Sequence, residues 1–496
     1  MSEHYPAILV TAPLLSAFLI SAAGWLNKRL CFPIAVGALS LAAFSTVELF
    51  VTVLTEGPVD YWLGGWAPPW GIVYRVDHLN GLILPVVSIV ALLNLIASKK
   101  SIEQDFPEKL GPFYTLYVLQ VTGLLGIVVT GDAFNLYVLL EIVALTGYAL
   151  IAMGEDRAPL AALNYVYMGT IGACFYLLGI GYLYIVTGSL NMADIASILP
   201  SLYNSKAVLV SFIICIVGVW LKMAFFPLHV WLPNAYTYAP SSVAGLVAPL
   251  VTKVMLYVMI RLMLTVFTIE FTFATLAVSR PIVWLAVIAI VMGAILALAE
   301  TNLKKMLAYI IVAEVGYMVG GAWLGNRAGM TGAILHIVND ALMTSCVFLV
   351  VGCIVYRIKG YAFNDLQGLF RKMPFTMGAF VVGAMSIIGV PPTCGFFSKW
   401  YLITGAIKAG QYAFMGALIF SSLVNVVLFF RVFEIGFFEP VGDHHAHASH
   451  HEPMKEAPVS MLVPLYIVAA GLVLVGIYTG DIVDRVIQFA IPRGLV

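Results

Sequence analysis

Charge is what this 496-residue sequence has least of: 25 Lys and Arg against 25 Asp and Glu, 10% of the chain, where a soluble domain carries about 25%. That scarcity excludes an ordinary soluble protein. The zero formal net charge also removes the basic footprint of a nucleic-acid binder, so no nucleic-acid partner is expected. Six cysteines (Cys31, Cys174, Cys215, Cys346, Cys353 and Cys394) are scattered through apolar stretches. They show no zinc, haem or iron–sulfur spacing and read as packing residues. No flavin, nicotinamide or quinone signature is evident, and of the nine histidines only His229 and His336 fall within or beside core helices. The chain is expected to bind no cofactor or metal and to have no redox site of its own.

What fills the space is hydrocarbon: 62% of residues are hydrophobic. Fourteen apolar runs follow one another, at 6–24, 31–54, 78–98, 111–129, 132–153, 158–187, 204–226, 241–267, 281–299, 306–325, 328–356, 374–404, 412–438 and 459–480. A span of about 20 apolar residues crosses ~30 Å of hydrocarbon. Barrel strands would be shorter and would alternate polar with apolar. The reading is an all-α, multi-pass membrane protein of about fourteen transmembrane helices. The first run leads into residues 25–29 and a second run without a small-residue cleavage site, so it reads as a retained helix.

Twelve Lys and Arg lie in loops after odd-numbered runs (28, 29, 99, 100, 109, 157, 304, 305, 357, 359, 371 and 372), against six after even-numbered runs. The positive-inside rule then places the odd loops in the cytoplasm and both termini outside the cytoplasmic, or inner, membrane. Residues 56–77 combine turn residues with a VYRV run, predicting a small extracytoplasmic hairpin. Residues 439–458 hold five histidines between 444 and 451; such low-complexity loops are usually solvated tethers.

Two core helices are interrupted alike, the seventh at FFPLHVWLP (225–233) and the twelfth at GVPPTCGFFSKW (389–400). Proline removes a backbone donor and frees carbonyls at membrane depth, which is tolerated only where protein or a water-filled cavity satisfies them. Each break has a lysine at hand, Lys222 before the first and Lys399 within the second. Breaks five helices apart predict two inverted five-helix repeats, helices 4–8 and 9–13, an arrangement that marks transport folds. The chain divides accordingly into 1–110 with the hairpin, half-channel repeats at 111–267 and 281–438, and a last helix with the histidine-rich loop at 439–496.

Several ionisable residues cannot reach a membrane surface: Glu141, Lys222, Lys253, Glu314, His336, Asp340, Lys399 and Arg431. A central charge costs about 2.5–3.5 kcal/mol even on lenient insertion scales, and such residues usually pair and mark ion or proton paths. Removing a lysine from water disfavours its charged form while a nearby carboxylate favours it, so switching the pairing moves a proton.

The stretches GDAFNLYVLLEIVALTGYALI (131–151), VWLKMAFFPLHVWLPNAY (219–236), LVTKVMLYVMIRL (250–262), LKKMLAYIIVAEVGYM (303–318) and GVPPTCGFFSKWYL (389–402) resemble the antiporter-like subunit family. That family takes in membrane subunits of respiratory complex I, Mrp-type cation/proton antiporters and membrane-bound hydrogenases. With YIVTGSLNMADIA (184–196), the resemblance is nearest to the MrpD-type antiporter subunits. It spans roughly 75–440 and implies a subunit of a hetero-oligomeric membrane complex that moves protons, with sodium as a second ion left open. By resemblance Glu141 is the helix-five glutamate that pairs with Lys222, Lys253 the helix-eight lysine, and Lys399 the helix-twelve lysine of the second half-channel. His229 and His336 match histidines beside the central path.

Two positions depart from the pattern. Thr344 stands where many relatives carry a lysine, and Glu314 where the residue is usually uncharged. His336, Asp340 and Thr344 share one helical stripe, which predicts a hydrogen-bonded proton relay with Asp340 beside His336. Both departures fit a branch that serves a redox complex. The competing readings are a stand-alone transporter of a small solute and a structural membrane subunit. Against the first, the core offers single titratable residues and no substrate-sized polar cluster. Against the second, the Glu–Lys series is intact.

Overall fold

The computed structural model describes residues 4–438 and 456–495; the histidines at 444–451 lie outside the described residues. Two apolar helices open the chain, α1 (Tyr5–Leu26) and α2 (Cys31–Glu56). Strands β1 (Val59–Trp62) and β2 (Val73–Val76) then pair antiparallel with Val59 opposite Val76, the hairpin expected from the VYRV run. Asp77 closes it and starts α3 (His78–Asp105) with a reciprocal cap: its carboxylate accepts from the Leu79 and Asn80 amides while the Asn80 side chain accepts from the Asp77 amide, satisfying donors that a helix start leaves unpaired. The helix outruns the apolar run ending at 98 because residues 99–105 continue it as a largely charged end that buries only Ser101 and Ile102, which hydropathy does not register.

The chain continues through α4 (Leu110–Val129), α5 (Ala133–Ala152), α6 (Ala158–Thr187), a short α7 (Met192–Ile198), α8 (Lys206–Lys222), α9 (Trp231–Tyr238) and α10 (Ser241–Arg261). There follow α11 (Ser279–Leu298), α12 (Leu303–Trp323), α13 (Arg327–Ile358), a short α14 (Leu369–Lys372), α15 (Pro374–Ile388), α16 (Cys394–Lys408), α17 (Tyr412–Phe433) and α18 (Val459–Ile477). Twelve described helices are long and apolar enough to cross a membrane. The seventh and twelfth apolar runs are each split into two short helices in series, α8–α9 and α15–α16, as their prolines predict.

The break boundaries differ from the sequence reading. The first begins at Met223: Ala224 takes a left-handed φ of 59°, and Phe226, preceding Pro227, is disfavoured in the helical region. Pro233 belongs to the first turn of α9, where a missing amide leaves no bond unmade. The second break spans only 389–393. Gly389 ends α15 at a φ of 94°, a conformation that costs glycine nothing, and Lys399 lies inside the restarted helix α16.

Every residue of α10 is buried. It packs against α3, α8, α12 and α13, and α13 in turn packs against α12, α15, α16 and α18. Outward faces are apolar: Phe18, Leu145, Ile185 and Phe430 are each more than half exposed, as lipid-facing side chains are. Polar side chains therefore collect where the split helices meet α10, α12 and α13.

Candidate functional site

Lys222 is the last residue of α8, and its place is set by glycines. A Cβ on Gly218 would sit 2.6 Å from the Gly172 carbonyl oxygen, and one on Gly172 would sit 2.9 Å from the Gly218 oxygen and 3.3 Å from Lys222 Cγ. The bare backbones let α6 and α8 approach closely, as small residues do between membrane helices. The Leu221 carbonyl beside the break accepts from the Ala224 amide at 3.3 Å and from the Trp231 indole at 3.0 Å, and that ring stacks on Tyr165 at 3.9 Å. The Lys222 ammonium is buried and has no hydrogen-bond acceptor among the described residues. Glu141 is the carboxylate whose charge reaches it, yet the direct pair expected from the resemblance is not formed. Glu141 sits on the half-buried side of α5 near Tyr137 and Tyr148, while Lys222 is held against α6.

Deeper in, α10 presents Lys253 to α13. Its ammonium lies 2.9 Å from Asp340 Oδ2, with the two side chains 2% and 0% exposed. The approach is close but poorly aligned, so it is a charge contact more than a directed hydrogen bond. Lys253 also donates to the Ala248 carbonyl at 3.2 Å and to Thr344 Oγ1 at 3.4 Å, and the Thr344 hydroxyl donates to Asp340 Oδ1 at 2.7 Å. From α12, the fully buried Glu314 turns its carboxyl to that of Asp340 within hydrogen-bonding reach. No donor from any other described residue reaches either Glu314 oxygen.

One element of the expected relay is corrected. Asp340 and Thr344 are bonded, but His336 joins neither: its Nδ1 meets Ser398 Oγ of α16 at 2.8 Å, and its Nε2 has no partner among the described residues. The shared stripe is real, but Lys253 takes the Asp340 carboxylate and the imidazole turns to the neighbouring helix.

Lys399 performs for the second break what Trp231 performs for the first. Its ammonium donates to the Ile387 and Ile388 carbonyls at 2.6 and 3.2 Å and to Ser422 Oγ at 3.1 Å, satisfying carbonyls at the end of α15 where a cation also complements the helix dipole. It stands 5.4 Å from the Tyr317 ring centroid, and that ring lies 5.4 Å from His336. A groove of about 300 Å³ between α16 and α17, lined by Gly389, Phe396, Trp400, Leu418 and Ser422, reaches Lys399.

Lys253, Glu314, His336, Asp340, Thr344 and Lys399 thus form one buried group. His229 stands apart in the first break, stacked on Phe226 at 5.0 Å with Nδ1 unpartnered among the described residues. Arg431 also lies outside the group, donating to the Glu300 carbonyl and covering Phe363. Sequence reasoning missed Ser398, Tyr317 and Ser422. The first two carried a signal, Ser398 as the neighbour of Lys399 in FFSKW and Tyr317 one turn after Glu314. It also missed Arg261, whose guanidinium grips Asp77 at 2.6 and 2.9 Å. Among the described residues no three His, Cys, Asp or Glu side chains are placed to hold a metal ion.

Residues 130–425 match the family model described as NADH:quinone oxidoreductase/Mrp antiporter, TM. The chain is 41% identical over 99% of both chains to a Desulforudis audaxviator protein named as the N subunit of an NADH-quinone oxidoreductase. It is 32% identical, covering 88% of this chain and 86% of the relative, to a Staphylococcus haemolyticus protein named as the putative antiporter subunit mnhD2. Among solved structures, a chain of an archaeal respiratory membrane complex, the membrane-bound sulfane sulfur reductase, aligns with a TM-score of 0.89 at 28% identity over 97% of this chain and 96% of that one.

Proposed function

This chain belongs to the NADH:quinone oxidoreductase/Mrp antiporter transmembrane family, and from that membership we propose that it translocates protons along Glu141, Lys222, Lys253 and Lys399. His229, His336, Asp340, Thr344 and Glu314 line or complete the path. The chain is an antiporter-like membrane subunit of that family. The observation that carries the proton reading is the buried group around Lys253, where ionisable side chains from α10, α12, α13 and α16 meet beside a split helix. A packing device would not need so many groups that can each gain or lose a proton, since buried ion pairs contribute little net stability over apolar replacements.

The unpartnered Lys222 ammonium fits the entry half of such a path in its loosened state, with Glu141 moving in to tighten the pair. The two split helices support two half-channels, 111–267 and 281–438, related as inverted repeats. The loop charges support an orientation with both termini outside the cytoplasm. Assembly is with other membrane subunits in a hetero-oligomer. The identity to a relative named as an oxidoreductase subunit favours a complex driven by redox chemistry elsewhere, in which this chain moves ions only.

The test is proton flux into proteoliposomes holding the assembled complex. Replacing Glu141 by Gln should abolish flux while assembly persists. Flux at the wild-type rate in that variant would remove Glu141 from the path.

A further inference from the structure

The facing carboxyls of Glu314 and Asp340 ask for an account that the relay alone does not supply. Both side chains are 0% exposed. Two carboxylates facing each other in a buried site do not both ionise, because adjacent like charges disfavour the second negative charge. One of the two therefore holds a proton. Geometry says which. Asp340 is met by the Lys253 ammonium at 2.9 Å and by the Thr344 hydroxyl at 2.7 Å, the partners of an ionised carboxylate. Glu314 is met by no donor from the described residues. A carboxylic acid needs none when it donates its own proton.

We propose that Glu314 and Asp340 share one proton, held on Glu314, and that this acid pair carries the charge step between Lys253 and Lys399. The inference rests on the proton-path reading above and deepens it. When Lys253 loses its proton or swings away, Asp340 is left an unpaired anion. The Glu314 O–H bond then breaks and an Asp340 O–H bond forms. One proton moves between two oxygens, no electron is transferred and no other reactant is needed. The negative charge passes from α13 to α12, where with Lys253 discharged the cation that reaches it is Lys399, whose ammonium feels both Glu314 and Asp340. The other titratable groups facing the pair are His336, bonded to Ser398 with Nε2 unpartnered among the described residues, Tyr317, whose hydroxyl is bonded to Ser421 Oγ, and Cys394. Thr344 holds Asp340 in place during the exchange. Hydrocarbon at position 314 would pack as well, so burial alone gives no reason for a carboxyl there.

The assembled complex in proteoliposomes tests this by infrared difference spectroscopy of the protonated-carboxyl C=O stretch and by proton flux. Wild type should show a buried-acid band that is lost in Glu314→Gln and shifted in Glu314→Asp. Flux should fall roughly a hundredfold in the Gln variant, within the range that a positioned proton donor contributes, and recover substantially in the Asp variant. If Glu314→Gln fails to assemble, the Asp variant carries the test: a shifted band supports the pair and an unmoved band overturns it. A Glu314→Gln complex that keeps the band and wild-type flux overturns the pair. Loss of flux in Glu141→Gln under the same conditions then leaves the general path standing, whereas full flux in both variants removes the path as well.

Discussion

The Lys253 ammonium and the Asp340 carboxylate, 2.9 Å apart with neither reaching the surface, join the most buried helix of the protein to the longest one. Neither residue has a way out of the hydrocarbon core, so each depends on the other for its charge. The Thr344 hydroxyl and the Ala248 carbonyl supply the remaining hydrogen bonds. The pair is placed where a change on one helix is felt at once on the other.

That dependence predicts an asymmetry between breaking the pair and removing it. Asp340→Leu strands a buried cation and should cost about 3–5 kcal/mol, read as loss of assembled complex and a lower unfolding temperature. The double variant Lys253→Met with Asp340→Leu should recover most of that stability, because an apolar pair of similar volume replaces a buried ion pair at little or no cost. Flux should stay lost in the double variant. A double variant as unstable as the single one would mean that the site is needed for packing in itself.

The split helices are legible in the sequence because Pro227, and Gly389 followed by Pro391 and Pro392, stand within breaks of the helical run, although a proline alone does not decide it: Pro85 and Pro249 lie inside continuous helices. The buried charges are legible because hydrocarbon runs leave them nowhere to go. Which charge meets which is not. Helical spacing places His336, Asp340 and Thr344 on one stripe, but the choice of Lys253 for Asp340 and Ser398 for His336 is made by three other helices. The same limit applies to Glu141 and Lys222, paired by resemblance and held apart by the packing of α6 on α8. Asp77 and Arg261 give no sequence signal because they are 184 residues apart and each has an ordinary place at a helix end.

The α6–α8 contact yields a second prediction. Gly218→Val would drive a branched side chain onto the Gly172 carbonyl and the Tyr176 amide, both backbone atoms that cannot swing aside. Overpacking of this kind costs about 1–3 kcal/mol, and here it also pushes away the helix end that carries Lys222. Thermal unfolding should show the destabilisation, and flux per assembled complex should fall as well. Gly181→Ala on α6, where an added Cβ meets nothing within 4 Å, is the control and should change neither.

At the hairpin end, stability should depend on acid. Burial works to raise the Asp77 carboxyl, but the Arg261 guanidinium and the two capping amides outweigh it and hold the group at about 2, below its ordinary 3.8. A carboxyl lowered by folding stabilises the folded state above its unfolded value and loses that contribution as pH falls. The unfolding temperature of wild type should therefore drop steeply as pH is lowered from about 4 toward 2. Asp77→Asn should be less stable at neutral pH and nearly flat across that window. Parallel slopes for the two proteins would assign the acid sensitivity elsewhere.

Lys399 combines two duties that substitutions can separate. Its ammonium closes off the carbonyls that the second break leaves open, Ile387 and Ile388, and its charge also reaches Glu314. Lys399→Met removes both duties and leaves buried carbonyls without a donor, each costing about 1–3 kcal/mol, so this variant should assemble poorly. Lys399→Gln keeps an N–H donor on a shorter, neutral side chain, so assembly should largely return while the charge does not. If the lysine serves as a proton carrier, the Gln variant gives complex at near wild-type yield with flux lost. If it serves only as a helix-end donor, flux per assembled complex in the Gln variant equals that of wild type. Lys399→Arg sharpens the result: the guanidinium keeps both donor and charge but does not release its proton. Intact assembly with lost flux in the Arg variant would show that Lys399 must be able to release its proton, beyond carrying charge.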